Sequence, residues 1–177
     1  MNYINKGKRD ILLFPEFSNI DKIEKIRKQY DELYGLIKPH ITLAFPFNSE
    51  ISNEELKESL KEHLKGVKKF KISMQGISLK KDEKKNINYI FLNFLNGKEE
   101  IMNIHNLIYE KVLNKKIKFE YVPHITLGCI KDGKKIDKEI LDEISNEKFE
   151  TLVDKIYLEK IGENEESIIE GYIDLED

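Results

Sequence analysis

The chain has one cysteine, two arginines and no apolar run of the roughly 20 residues that a bilayer-spanning helix needs. Its single thiol, Cys129, excludes an internal disulfide and, beside an apolar run, reads as a small buried filler rather than a nucleophile. No N-terminal hydrophobic stretch of the secretory kind occurs either, so the expected location is cytoplasmic, with no membrane partner. Arg9 and Arg27 are the only arginines, which leaves few candidates for bidentate phosphate recognition, and lysine would act as a point charge. With 30 cationic against 33 acidic residues the formal charge is −3, so no global basic field points to nucleic acid and any anion site must be local. Long Pro, Gly or Ser linkers are also missing. The charged stretch 80–88 suits a solvated surface hairpin, and 177 residues with 40% hydrophobic content suffice for one domain spanning 1–177.

What the chain does have is a repeat. The pentapeptide Pro-His-Ile-Thr-Leu occurs at 39–43 and again at 123–127, placing two of four histidines 84 positions apart (124 minus 40) in the same local setting. In a strand, alternate side chains share a face, so His40 and Thr42 point one way and Ile41, Leu43 and Phe45 the other. In the second copy His124 and Thr126 project together, and Ile125, Leu127 and Cys129 turn to the core. Two positions past each threonine stands a small residue, Ala44 or Gly128, which is expected to leave room for a ligand. The spacing therefore predicts a cleft lined by two His/Thr pairs.

The repeat extends beyond the pentapeptide. The first half reads as a strand at 10–14, a helix at 19–34 with Ile20, Ile23, Ile26, Tyr30 and Leu33 inward, the His40 strand, a second helix and a strand at 69–79. Ser52 followed by Glu55 forms a capping box for that second helix, and Gly66 is its stop. The second half runs from a strand at 87–95 through a helix at 98–113 to the His124 strand. A short helix carrying Ile136, Ile140, Leu141 and Ile144 follows, then strands at 149–161 and 167–175 joined by the turn residues 162–165. This order predicts an α+β, bilobal fold with pseudo-twofold duplication, its lobe-forming halves at about 1–80 and 87–177. The duplicate HxT strands would meet at its centre.

The paired motifs His40-Ile41-Thr42-Leu43 and His124-Ile125-Thr126-Leu127, separated by one helix–strand–helix cycle, resemble those of the 2H phosphoesterase superfamily, which includes 2′-5′ RNA ligase-like proteins and cyclic phosphodiesterases. The resemblance covers most of the chain and implies antiparallel sheets around a central cleft with helices outside. It also implies hydrolysis or transfer at a phosphodiester, often a 2′,3′-cyclic phosphate, with no metal and no cofactor. The chemistry is consistent with the residues. One imidazole takes a proton from water while the other protonates the departing ribose oxygen, and the hydroxyls of Thr42 and Thr126 donate to the non-bridging oxygens. The resemblance assigns His124 as base and His40 as acid. The partner expected is a small nucleotide or RNA end, with no obligate protein partner; the oligomeric state is left open, with a monomer favoured. Two other functions fit the same cleft: a non-catalytic nucleotide or RNA-end binding module, and a 2′-5′ RNA ligase.

Other residues carry blander expectations. His63 and His105 lie beside apolar helical stripes and read as helix-face residues. Lys38 and Lys118 share the parity of His40 and His124, but coincidence is the simpler reading in a chain this rich in lysine. Phe14, Tyr89 and Tyr121 are candidate platforms for a base, while Phe45 and Phe47 follow core parity. A zinc site needs three or four ligands, and neither motif offers a carboxylate or thiol on its own face.

Overall fold

The computed structural model describes residues 7–131 and 134–177. Thirteen elements follow one another: β1 (Arg9–Leu13), α1 (Ile20–Tyr30), β2 (Ile41–Phe47), α2 (Asn53–His63), β3 (Phe70–Asp82), β4 (Ile87–Asn96), α3 (Lys98–Leu107), a π-helical turn (Ile108–Val112), β5 (His124–Lys131), α4 (Lys138–Asn146), β6 (Phe149–Val153), β7 (Lys155–Ile161) and β8 (Ser167–Asp174). The strands form two four-stranded antiparallel sheets, ordered β2-β1-β7-β8 and β5-β4-β3-β6. Each HxT strand is thus the edge of its sheet, and β2 and β5 run beside each other where the sheets meet. The fold is α+β and bilobal, two antiparallel sheets with four helices packed on them.

The lobes do not follow the halves 1–80 and 87–177. Strand β3 of the first half pairs with β4 and β6 in the second sheet, and β7 and β8 pair with β1 in the first. Helices are exchanged as well: α1 and α4 pack on the β5 sheet, while α2 and α3 pack on the β2 sheet. One continuous core results, in which Ile11, Leu13, Ile41, Leu43, Ile156 and Leu158 of one sheet and Ile72, Ile90, Leu92, Ile125, Leu127 and Phe149 of the other are all at most 1% exposed. Each such side chain contributes about 1.5 to 3 kcal/mol relative to its exposed state.

Local chemistry sets several boundaries. Helix α2 starts on the capping box, with Ser52 Oγ accepting from Glu55 N–H and the Glu55 carboxylate accepting from Ser52 N–H. Helix α1 ends at Tyr30 rather than 34. Asp31 leaves the helical region (φ −110°, ψ 114°), its carboxylate accepts from Leu33 N–H, and Gly35 follows at φ 81°. The expected single strand 149–161 breaks at Asp154 and its two parts join different sheets.

Candidate active site

Each motif histidine is fixed in the same way. The Nδ1 of His40 lies 2.9 Å from the carbonyl of Lys38, and the Nδ1 of His124 lies 2.7 Å from the carbonyl of Val122. A carbonyl only accepts, so Nδ1 carries the hydrogen in both rings and Nε2 is left as the proton-accepting nitrogen. A proline, Pro39 or Pro123, stands between each carbonyl and its histidine and restricts φ there, which pre-sets the bond. Both rings are half-buried. Burial lowers the pKa of each, that of His40 to about 4, with the Arg27 guanidinium and then His124 acting on His40 in the same direction.

Around the histidines stand different rings. Phe91 stacks on His124 with centroids 3.5 Å apart and planes 19° apart, and Tyr89 stacks on Phe91 in turn at 6.0 Å. His40 meets Phe14 edge-on at 6.4 Å, and Phe14 packs against Tyr157 at 5.0 Å. Beside this group a cavity of about 740 Å³ opens, lined among others by Phe14, Tyr34, Lys38, Pro39 and Tyr157. Thr42 and Thr126 are half-buried, and neither hydroxyl has a partner among the described residues.

The strand parity of the sequence holds through the threonines and then fails. In β5 the partners of Asn93, Phe91, Ile90 and Tyr89 are His124, Thr126, Gly128 and Cys129, so a bulge intervenes at Gly128. Cys129 therefore shares the face of His124 and Thr126 and is half-exposed, not a core filler. Gly128 does not make room for a ligand. A Cβ there would lie 2.4 Å from the backbone of Tyr30, so helix α1 fills the space, and φ of 144° suits glycine alone. Strand β2 has the matching irregularity, with Thr42 opposite Leu12 but Ala44 opposite Ile11; Ala44 is fully buried and Phe45 turns out to 40% exposure. The cysteine parity argument against zinc falls with this. Among the described residues, though, no group of three or more His, Cys, Asp or Glu side chains is placed to hold a metal.

Neither arginine is free for an anion. Arg27, 1% exposed, binds Asp31 at 2.7 Å, Glu24 at 3.2 Å and the Ile37 carbonyl at 2.8 Å. Arg9 is held by Glu170 at 3.0 Å, by Asn53 and by the Ile51 carbonyl. Lys38 and Lys118 are both exposed. His63 is the helix residue expected, its Nδ1 bonded 2.9 Å from the Ser59 carbonyl. His105 is a structural helix residue as well: it is fully buried and reaches across to β2, with Nδ1 2.7 Å from the Leu43 carbonyl. Tyr121 is likewise committed, its hydroxyl donating to the Thr42 carbonyl at 2.8 Å, so it is not a free platform. The sequence reading missed Phe91, whose one signal was its alternation with the buried Ile90 and Leu92.

Comparison with known proteins gives the family and the fold. A profile of the 2′-5′ RNA ligase superfamily matches residues 14–165. A Bacillus licheniformis protein provisionally named a phosphoesterase is 32% identical over 124 residues, 68% of this chain and 70% of that one. A Geobacillus relative with the same provisional name is 31% identical over 156 residues, 85% and 86% of the two chains. In fold, the chain is similar to Escherichia coli LigT in complex with 3′-AMP (TM-score 0.64, 13% identity, 97% and 99% coverage) and to a Thermus thermophilus protein (0.61, 12%, 95% and 97%). With the profile spanning most of its length and two relatives above 30% identity, the chain belongs to the 2′-5′ RNA ligase superfamily, the 2H phosphoesterases.

Proposed function

We propose that this chain is a metal-independent phosphodiesterase that opens a cyclic phosphate or cleaves a phosphodiester at a nucleotide or RNA end. His40 and His124 are its acid–base pair, and Thr42 and Thr126 donate to the non-bridging oxygens. The observation that carries this reading is the matched pair of imidazoles, each tied at Nδ1 and open at Nε2, on adjacent edge strands. One Nε2 accepts the proton of the attacking water, the bond from phosphorus to the ribose oxygen breaks, and the other Nε2–H protonates that oxygen. The unpartnered threonine hydroxyls are left to stabilise the phosphoryl charge.

The surroundings favour the reverse of the roles implied by the family resemblance. His40 resists protonation most, its pKa being lowered to about 4 by burial, which suits a neutral base. His124 has the face of Phe91 against it, and an aromatic face attracts an imidazolium, which suits the acid. The anionic phosphate supplies the field that lets His124 take up its proton. The cavity beside His40 gives the remainder of a small nucleotide a place, with Phe14 and Tyr157 as ring surfaces. E. coli LigT has been solved with 3′-AMP and with ATP, which supports a ligand of that class. No helix among the described residues is long and apolar enough to cross a membrane, and the proposal extends to a cytoplasmic monomer.

The test is a turnover screen of chelator-dialysed protein against 2′,3′-cyclic nucleotides, ADP-ribose cyclic phosphate and linear 2′-5′ and 3′-5′ dinucleotides. Hydrolysis that survives chelation is expected. Loss restored by zinc or manganese would move the site to the metal class, and binding without turnover would make the chain a binding module. The roles separate on a phosphodiester with a nitrophenolate leaving group, which departs without a proton: His124→Ala should be largely spared on it and His40→Ala should not.

A further inference from the structure

Strand β2, the last strand of its sheet, carries the first motif, and three side chains of the second half take up its backbone groups. The Tyr121 hydroxyl donates to the Thr42 carbonyl at 2.8 Å, His105 Nδ1–H donates to the Leu43 carbonyl at 2.7 Å, and Phe45 N–H donates to the Tyr109 hydroxyl at 3.2 Å. In a regular strand successive carbonyls face opposite edges; here two in succession go to side chains, at the bulge that interrupts pairing with β1. The three rings support each other. His105 stacks flat on Tyr121, with centroids 3.6 Å and planes 6° apart, and packs against Tyr109 at 4.7 Å. The π-helical turn, closed by Leu113 N–H to the Ile108 carbonyl, includes Tyr109 and so sets where its ring stands, and such turns are frequent at functional sites.

We propose that His105 and Tyr121, with Tyr109, form a brace that sets the position of the His40 and Thr42 strand relative to His124, making both positioning residues for the proposed reaction, a role that rests on the two-histidine reading. Tyr121 precedes His124 by three residues, so the segment that delivers the second histidine is the one bonded to the strand of the first. His105 also buries an Nε2 that has no partner among the described residues. A leucine would fill the position without that penalty but could not donate to Leu43, so the ring is better explained by its bond than by its volume. The other motif strand is held differently, by the close approach of the Tyr30 backbone at Gly128.

The test compares Tyr121→Phe, which removes only the hydroxyl, with His105→Leu and with His105→Asn, which keeps a donor near the position of Nδ1. Two readouts are used: steady-state kinetics on 2′,3′-cyclic AMP and NMR titration of the histidine rings. Tyr121→Phe and His105→Leu should lower kcat about 10- to 100-fold with KM near that of the parent, and should move the His40 titration upward as water reaches the loosened ring. His105→Asn should restore both. A folded Tyr121→Phe protein with unchanged kcat and unchanged His40 titration would overturn the brace, as would His105→Asn falling as far as His105→Leu. Should the parent not turn over the cyclic nucleotide, the two-histidine reaction fails by itself, and the titration shifts alone decide the brace.

Discussion

Thr42 and Thr126 hold hydroxyls that nothing among the described residues satisfies, although both side chains are half-buried. Both are partly open to solvent, which leaves them able to donate to a bound phosphoryl oxygen in the proposed reaction. Replacing either threonine by valine keeps the shape and removes only the donor, so kcat on a cyclic nucleotide should fall about 10²-fold or more while the unfolding midpoint holds or rises. A valine variant with parental kcat would remove the threonines from the mechanism. At this scale the duplication singles out His40, Thr42, His124 and Thr126 as the candidate site. It gives no sign of the contact between His105 and β2 or of the Phe91 ring on His124. Local spacing placed His105 beside the stripe of Ile101, Ile104 and Ile108, and its contact with the Leu43 carbonyl spans 62 positions of sequence, which no periodicity encodes. Phe91 meets His124 only when β4 pairs with β5 and brings its ring onto the imidazole.

The bulges are what separate the observed elements from those expected. Strand parity assigns every face correctly up to Thr42 and Thr126, then puts Phe45 and Cys129 on the wrong side, because one extra residue shifts the alternation. Glycine at 128 was a visible signal, but its cause is the helix lying against it. Adding a methyl at Gly128 drives it into the Tyr30 backbone, which cannot give way as a flexible side chain would. Gly128→Ala should therefore destabilise the fold by about 3 kcal/mol, measured by denaturant unfolding; stability near that of the parent would mean α1 does not seat on β5 as described. The capping box of α2 was legible because it is local, four residues long and specified by side chains that bond each other. The early end of α1 was not, since an apolar stripe continues through Leu33 while Asp31 diverts the backbone and binds Arg27.

The whole molecule is one interleaved body, and duplication in sequence suggested two lobes without revealing that strands and helices are exchanged between them. That exchange brings Asp10 of β1 opposite Glu159 of β7, both nearly fully buried. Burial, and then the neighbouring Glu159, push Asp10 from 3.8 up to about 9. The folded state thus keeps a proton that the unfolded chain releases near pH 4, so raising the pH through this window favours unfolding. His40 acts in the opposite sense, its lowered pKa withdrawing stability as pH falls from 6.5 towards 4. Between pH 6.5 and 9 the urea midpoint should fall, and Asp10→Asn should flatten that slope; equal slopes in the two proteins would contradict the assignment. The central claim is that one phosphate is worked on by both motif histidines, and its most direct test is kcat/KM for 2′,3′-cyclic nucleotide hydrolysis in His40→Ala, His124→Ala and the double variant. Each single change should cost about 10² to 10⁴ in a folded protein, and the double should fall well short of the product of the two, because the groups act on the same transition state. Near-parental turnover in the double variant would contradict the account.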